Sequence, residues 1–145
     1  FTEDHGTKSP QFRRKNPNGQ VPLLELDDGR FLSESNAIML FLAETIGRNN
    51  TETAKLIPTT DYERGLMYQW LFFEQYTHEK AIAVRRAHVI FHHPTPKKIM
   101  DELLIKAYHA LDVMEEQLSK SPFMVAGVDF LTLADISLFA YTHLA

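Results

Sequence analysis

Two short stretches carry the groups best placed to do chemistry. Glu34-Ser35-Asn36-Ala37-Ile38 puts an acid and a hydroxyl where helical spacing begins. A helix start offers unpaired N–H groups and partial positive charge, which suits a carboxylate ligand. The plainer reading of the same residues is a favourable first turn. Upstream, Asn16-Pro17-Asn18-Gly19-Gln20-Val21-Pro22 is a turn leading into an apolar strand start. Metal chemistry has weaker support. His88, His92 and His93 have spacings that could aim imidazoles at one ion, but Pro94 breaks the helix there, and a solvated helix end is the simpler account. His78-Glu79-Lys80-Ala81-Ile82 lacks the second histidine of a zinc-protease helix, so no metal site is expected. The chain has no cysteine, which excludes a thiolate nucleophile, thiolate zinc sites and disulfides.

The elements that must position these residues follow from periodicity. Residues 1–19 are polar and punctuated by Gly6, Pro10, Pro17 and Gly19. Val21–Leu26 reads as a strand, Asp27–Arg30 as a hairpin turn around Asp28-Gly29, and Arg30–Leu32 as the return strand. A helix is predicted from Ser35 to about Ile46, with Ile38, Phe41, Leu42 and Thr45 on one face and Gly47 just past its end. Residues 48–60 read as a linker, and the rest as helix. Thr60-Asp61-Tyr62-Glu63 matches a capping box and opens a helix running to about Phe91, which His92-His93-Pro94 ends. Thr95-Pro96 restarts one, with proline expected at the first helical position. Its core stripe is Ile99, Leu103, Ala107, Ala110, Leu111, Met114 and Leu118. Thr132-Leu133-Ala134-Asp135 caps a last helix, with Leu131 and Ile136 as a hydrophobic staple.

Composition narrows the partners. Of 145 residues, 44% are hydrophobic and 23% charged, ordinary for a soluble globular protein. A net charge of -4 leaves no footprint for nucleic acid or an anionic membrane, and the Arg13-Arg14-Lys15 cluster is too small to supply one. No apolar run approaches the roughly 20 residues needed to span a bilayer. Phe1–His5 is neither basic nor apolar, so it is no signal peptide, and the missing initiator methionine suggests a processed or truncated chain.

Together, the two stretches around one hairpin closely resemble the glutathione-binding half of glutathione S-transferases, of a bacterial or theta-like type. Phe123-Met124-Val125-Ala126-Gly127 with Leu131-Thr132-Leu133-Ala134-Asp135-Ile136 resembles the capping box and staple of that family's helical domain. The resemblance implies an α/β plus all-α fold. An incomplete thioredoxin-like domain (hairpin and helix) would cover 1–47 and a linker 48–60. A helical bundle domain would cover 61–145, incomplete at its end. It implies that Val21, through its backbone N–H and C=O, pairs with the cysteinyl amide of glutathione, and that Pro22 is a cis proline. Ser35 and its helix start would take the γ-glutamyl carboxylate, Glu34 the ammonium, and Gln20 the glycyl end. The family's catalytic tyrosine, serine or cysteine follows a first strand that this chain does not reach, so no catalytic residue is expected in it. Tyr76, His78 and Arg85, on the first long helix, are candidates for the electrophile pocket. The resemblance further implies glutathione as co-substrate with no metal, a hydrophobic electrophile, a homodimer, a cytoplasmic location and a role in detoxification. The alternative is a non-catalytic protein-interaction module of the same fold, as in translation-factor assemblies.

Overall fold

The computed structural model describes residues 6–47, 49–50 and 55–145. The expectation for Phe1–His5, and Arg48 and Thr51–Ala54 of the expected linker, lie outside the described residues. The chain forms two compact units, Phe1–Asn50 and Thr51–Ala145.

The first unit holds the hairpin and helix that the resemblance implied for a partial thioredoxin-like domain. A 3-10 turn at Gly6–Lys8 leads into α1 (Pro10–Lys15), which Ser9 caps by accepting from the Phe12 N–H at 3.2 Å. Strands β1 (Leu23–Glu25) and β2 (Phe31–Ser33) pair antiparallel in the register Leu23↔Ser33, Leu24↔Leu32 and Glu25↔Phe31. Gly29 (φ 82) closes the turn, donating to the Leu26 carbonyl at 2.9 Å, while the Asp28 carboxylate accepts from the Arg30 N–H at 3.1 Å. The ladder is shorter than the predicted Val21–Leu26 strand because Pro22 has no N–H to add to it. Helix α2 spans Ser35–Gly47, so Gly47 is its last residue rather than the one beyond. Ile38 and Phe41 of the predicted face are half-buried and Leu42 is exposed.

The second unit is helical, as expected. Residues 55–60, read as linker, belong to it: the Leu56 carbonyl accepts from the Leu133 N–H at 3.0 Å, and Pro58 is buried. Thr60 caps α3 (Asp61–Phe73), its hydroxyl accepting from the Glu63 N–H at 3.3 Å and donating to the Glu63 carboxylate at 2.7 Å. The predicted single helix to Phe91 is interrupted. Glu74–His78 forms a π turn, closed by the Glu79 N–H donating to the Glu74 carbonyl, before α4 (Glu79–Ile90) continues. Such a turn inserts a residue without ending the helix, which is why periodicity alone read the segment as continuous.

Helix α5 (Lys97–Leu118) begins one residue later than expected: Pro96, with ψ 138, is the cap rather than the first helical residue. Ala107, Ala110 and Met114 of its stripe are buried, while Ile99 and Leu118 at the ends are exposed. The core joins these to Met67, Trp70 and Leu71 of α3, Ala81 and Ile82 of α4, and Leu133, Ala134 and Leu138 of α6 (Leu133–Thr142). Asp135 organises the start of α6. Its carboxylate accepts from the Thr132 N–H at 2.9 Å, the Thr132 hydroxyl at 2.8 Å and the Met124 N–H at 2.8 Å. The expected staple residues, Leu131 and Ile136, both remain exposed.

Candidate functional site

Sequence order separates Val21-Pro22 from Glu34-Ser35, and the hairpin register brings them back together. The ladder ends at Leu23↔Ser33, so Val21-Pro22, just before Leu23, and Glu34-Ser35, just after Ser33, both lie at the open end of one hairpin. The Val21–Pro22 bond is cis, as the resemblance implied. Val21 is 69% exposed, and no other described residue engages its N–H or C=O. An extended ligand could pair with this backbone as an added strand does.

Across from it, the Glu34 carbonyl accepts the first helical bond from the Ile38 N–H at 2.9 Å, which makes Glu34 the N-cap of α2. Its φ is 74, a left-handed conformation that non-glycine residues adopt at a cost and that gathers at ligand clamps. The bend leaves the Glu34 side chain exposed beside the helix mouth. Ser35 is the first residue of α2, so its hydroxyl lies at the positive end of the helix, where a carboxylate is favoured.

The loop before Val21 is tightly made, and here sequence reasoning missed two residues. Asn16 is 4% exposed: its Nδ2 donates to the Gln20 carbonyl at 2.7 Å and its Oδ1 accepts from the Asn18 N–H at 3.1 Å. Lys8 Nζ donates to the Gly19 carbonyl at 2.9 Å, placing a cation next to Gln20. Gly19 (φ 64) must be glycine, since a Cβ there would stand 2.9 Å from the Thr7 carbonyl oxygen. The turn-rich spelling of 16–19 hinted at such a knot but not at which side chain ties it.

The electrophile-pocket candidates do not come together. Tyr76 is exposed, with Lys80 Nζ 4.7 Å from its ring centroid. His78 is fully buried, its Nε2 2.8 Å from the Thr142 hydroxyl, and burial pushes its pKa below the ordinary histidine value. Arg85 lies on the wall of a cavity of about 430 Å³ between α4 and α5, with Ile82, Leu104 and Leu111. Nearby, Tyr141 has its pKa raised, chiefly by burial and then by Glu79 and Glu74. His88 Nδ1 is 2.5 Å from the Thr95 hydroxyl, and among the described residues no group of three His, Asp or Glu side chains could hold a metal ion.

Comparison with known proteins places this arrangement. Residues 1–45 match the family model described as glutathione S-transferase, N-terminal domain. Glutathione S-transferase F10 of Arabidopsis thaliana is 31% identical over 140 residues, which cover 94% of this chain and 62% of the relative. The crystal structure of a glutathione S-transferase from Pseudomonas fluorescens is 42% identical with a TM-score of 0.82, over 95% of this chain and 65% of that one. One from Xanthobacter autotrophicus is 38% identical with a TM-score of 0.87, over 99% and 66%. The chain thus spans under two thirds of the length of these relatives. With its hairpin end, its helical unit and these likenesses agreeing, the chain belongs to the glutathione S-transferase family.

Proposed function

We propose that this chain supplies the glutathione grip of a transferase that joins glutathione to hydrophobic electrophiles. The observation that carries the reading is the convergence at one hairpin end of the open Val21 backbone with Glu34 and the Ser35 helix mouth. In this reading Val21 pairs with the cysteinyl amide, Pro22 shapes the bend, Ser35 and the α2 N–H groups hold the γ-glutamyl carboxylate, Glu34 holds the ammonium, and Gln20 faces the glycyl end. Their part is to bind and orient, which lowers the barrier by fixing the thiol's position. No residue of the chain is assigned to activate that thiol. A relative of the same fold, a glutathione transferase from Phanerochaete chrysosporium, has been crystallised with oxidized glutathione at 25% identity to this chain.

Finer features belong to the same proposal: a cytoplasmic, detoxifying homodimer, whose second copy would cover some of the exposed aromatic surface of Tyr62, Phe72 and Tyr76. Among the described residues, no helix is long and apolar enough to cross a membrane.

Retention on immobilised glutathione tests the reading. The chain is expected to be retained and eluted by free glutathione. Ser35→Ala and Glu34→Ala should each weaken it by about tenfold, the scale of a lost charge-assisted hydrogen bond. Retention indifferent to both changes would favour the second reading, a non-catalytic module. That reading has its own support: a probable elongation factor 1-gamma of Arabidopsis thaliana is 30% identical over 133 residues, 89% of this chain and 29% of the relative.

A further inference from the structure

We propose that Asn16 is a positioning residue for the glutathione grip: its side-chain amide, by holding the Gln20 carbonyl inward, aims the Val21 N–H outward at the ligand. The inference rests on the binding reading above and adds to it a residue that touches no ligand.

The geometry starts from one peptide unit. The Gln20 C=O and the Val21 N–H belong to the same plane, and in a trans peptide they point in opposite directions. The sole cis bond among the described residues is the next one, Val21–Pro22. Asn16 Nδ2 donates to the Gln20 oxygen at 2.7 Å. Which end of the amide faces Gln20 is fixed by the other end, because Oδ1 accepts from the Asn18 N–H at 3.1 Å and an N–H only donates. Asn16 is almost wholly buried, so the Gln20 oxygen is drawn toward the protein and the Val21 N–H must point away from it. That direction agrees with Val21 being exposed and with no other described residue meeting its N–H.

The anchor is itself held. The Asn16 N–H donates to the Phe12 carbonyl of α1 at 2.9 Å, and its own carbonyl accepts from the Gly19 N–H at 2.9 Å. Lys8 Nζ pins the preceding carbonyl, Gly19, at 2.9 Å. Two successive carbonyls are therefore bound from within, and the peptide that carries the recognition N–H cannot rotate without breaking the part-buried bond from Asn16. Pre-set orientation of this kind spares a ligand the cost of ordering the loop.

The test is Asn16→Asp, which keeps the oxygen that holds Asn18 and replaces the donor facing Gln20 with a second acceptor. Glutathione affinity by calorimetry should fall about tenfold, the scale of one hydrogen bond lost at a preorganised site. The cross-peak of the Val21 amide in an ¹⁵N–¹H spectrum should move in the ligand-free protein. In the double variant Asn16→Asp/Ser35→Ala the two losses should multiply, since one acts at the cysteinyl amide and the other at the γ-glutamyl end. Wild-type affinity in Asn16→Asp would overturn the proposal. So would a double variant in which the Ser35 change no longer matters, because that marks a general loosening of the unit. The ligand-free spectrum keeps the two readings apart: an unmoved Val21 cross-peak sinks the positioning role whatever binds, and a wild type without glutathione affinity sinks the binding reading with it.

Discussion

The hairpin end and the start of α6 are both built on a threonine or serine beside an acid at a helix mouth, yet they do opposite things. At α6, Thr132 is buried and the Asp135 carboxylate is saturated by donors from its own chain. At α2, the acid precedes the hydroxyl, sits in a left-handed bend and stays exposed, and the facing Val21 backbone has no partner among the described residues. The same chemical groups close on one another at the start of α6, while at α2 the Glu34 side chain and the Val21 backbone stand exposed, where we propose that a ligand binds. What separates the two is the exposure of the acid and of the backbone near it, not residue type.

The comparison breaks most visibly if the closed mouth is opened. Asp135→Ala removes the acceptor of two backbone N–H groups and a hydroxyl, leaving the donors of Thr132 and Met124 part-buried without it. The expected loss is about 3 kcal/mol, combining a cap with an unsatisfied buried donor. Denaturant unfolding followed by circular dichroism should show the midpoint falling with the slope unchanged. A loss under about 0.5 kcal/mol, the range of a plain surface substitution, would mean the carboxylate is not the organiser of α6.

The exposed acid at the α2 mouth should respond the other way. Glu34→Gly relieves the positive φ at the N-cap of α2, where glycine is nearly as good a cap, so the chain should gain about 0.5–1 kcal/mol while its hold on glutathione weakens as in Glu34→Ala. A thermal melt read alongside glutathione retention checks both halves. Reduced stability in this variant would show that the bend is not strained and that Glu34 is there for the fold.

Much of this was legible in the sequence because it depends on neighbours along the chain. Asp28-Gly29 spelled the turn, Thr60 to Glu63 and Thr132 to Asp135 spelled the caps, and Pro94 spelled a break. The two site stretches were legible as a pair through resemblance, and their convergence follows once the hairpin register is fixed. What was not legible depends on distant or geometric facts. Nothing in Glu74–His78 announces a π turn, since one inserted residue leaves the apolar spacing nearly intact. The depth of His78, the exposure of Tyr76 and the inward amide of Asn16 are set by packing partners, such as Thr142 for His78, that lie far away or across a loop. Pro96 moved from first helical residue to cap because its ψ of 138 is extended, a choice that residue type leaves open.

The smallest effect expected is a pH dependence, and it sharpens the contrast from the closed side. The Thr142 hydroxyl donates its one proton to the Leu138 carbonyl at 2.7 Å, so it must accept from His78, which places a hydrogen on Nε2. The other nitrogen, Nδ1, is buried with no partner among the described residues, and a proton there would put an unpaired charge in the core. Burial accordingly lowers the His78 pKa below its ordinary value of 6.5. The unfolded chain then binds the proton more readily than the folded one, so stability rises with pH across that window. It is complete above 6.5 and is lost progressively as pH falls through the lowered folded value. Denaturant midpoints should therefore drop between about pH 7.5 and 5.5, the interval in which an unfolded histidine titrates. His78→Gln keeps an N–H for Thr142 but does not titrate, so its midpoint should fall less over the same interval, with the other histidines unchanged between the two proteins. Equal slopes for wild type and His78→Gln would show that this buried ring does not oppose protonation, and that the closed region is less closed than its geometry makes it.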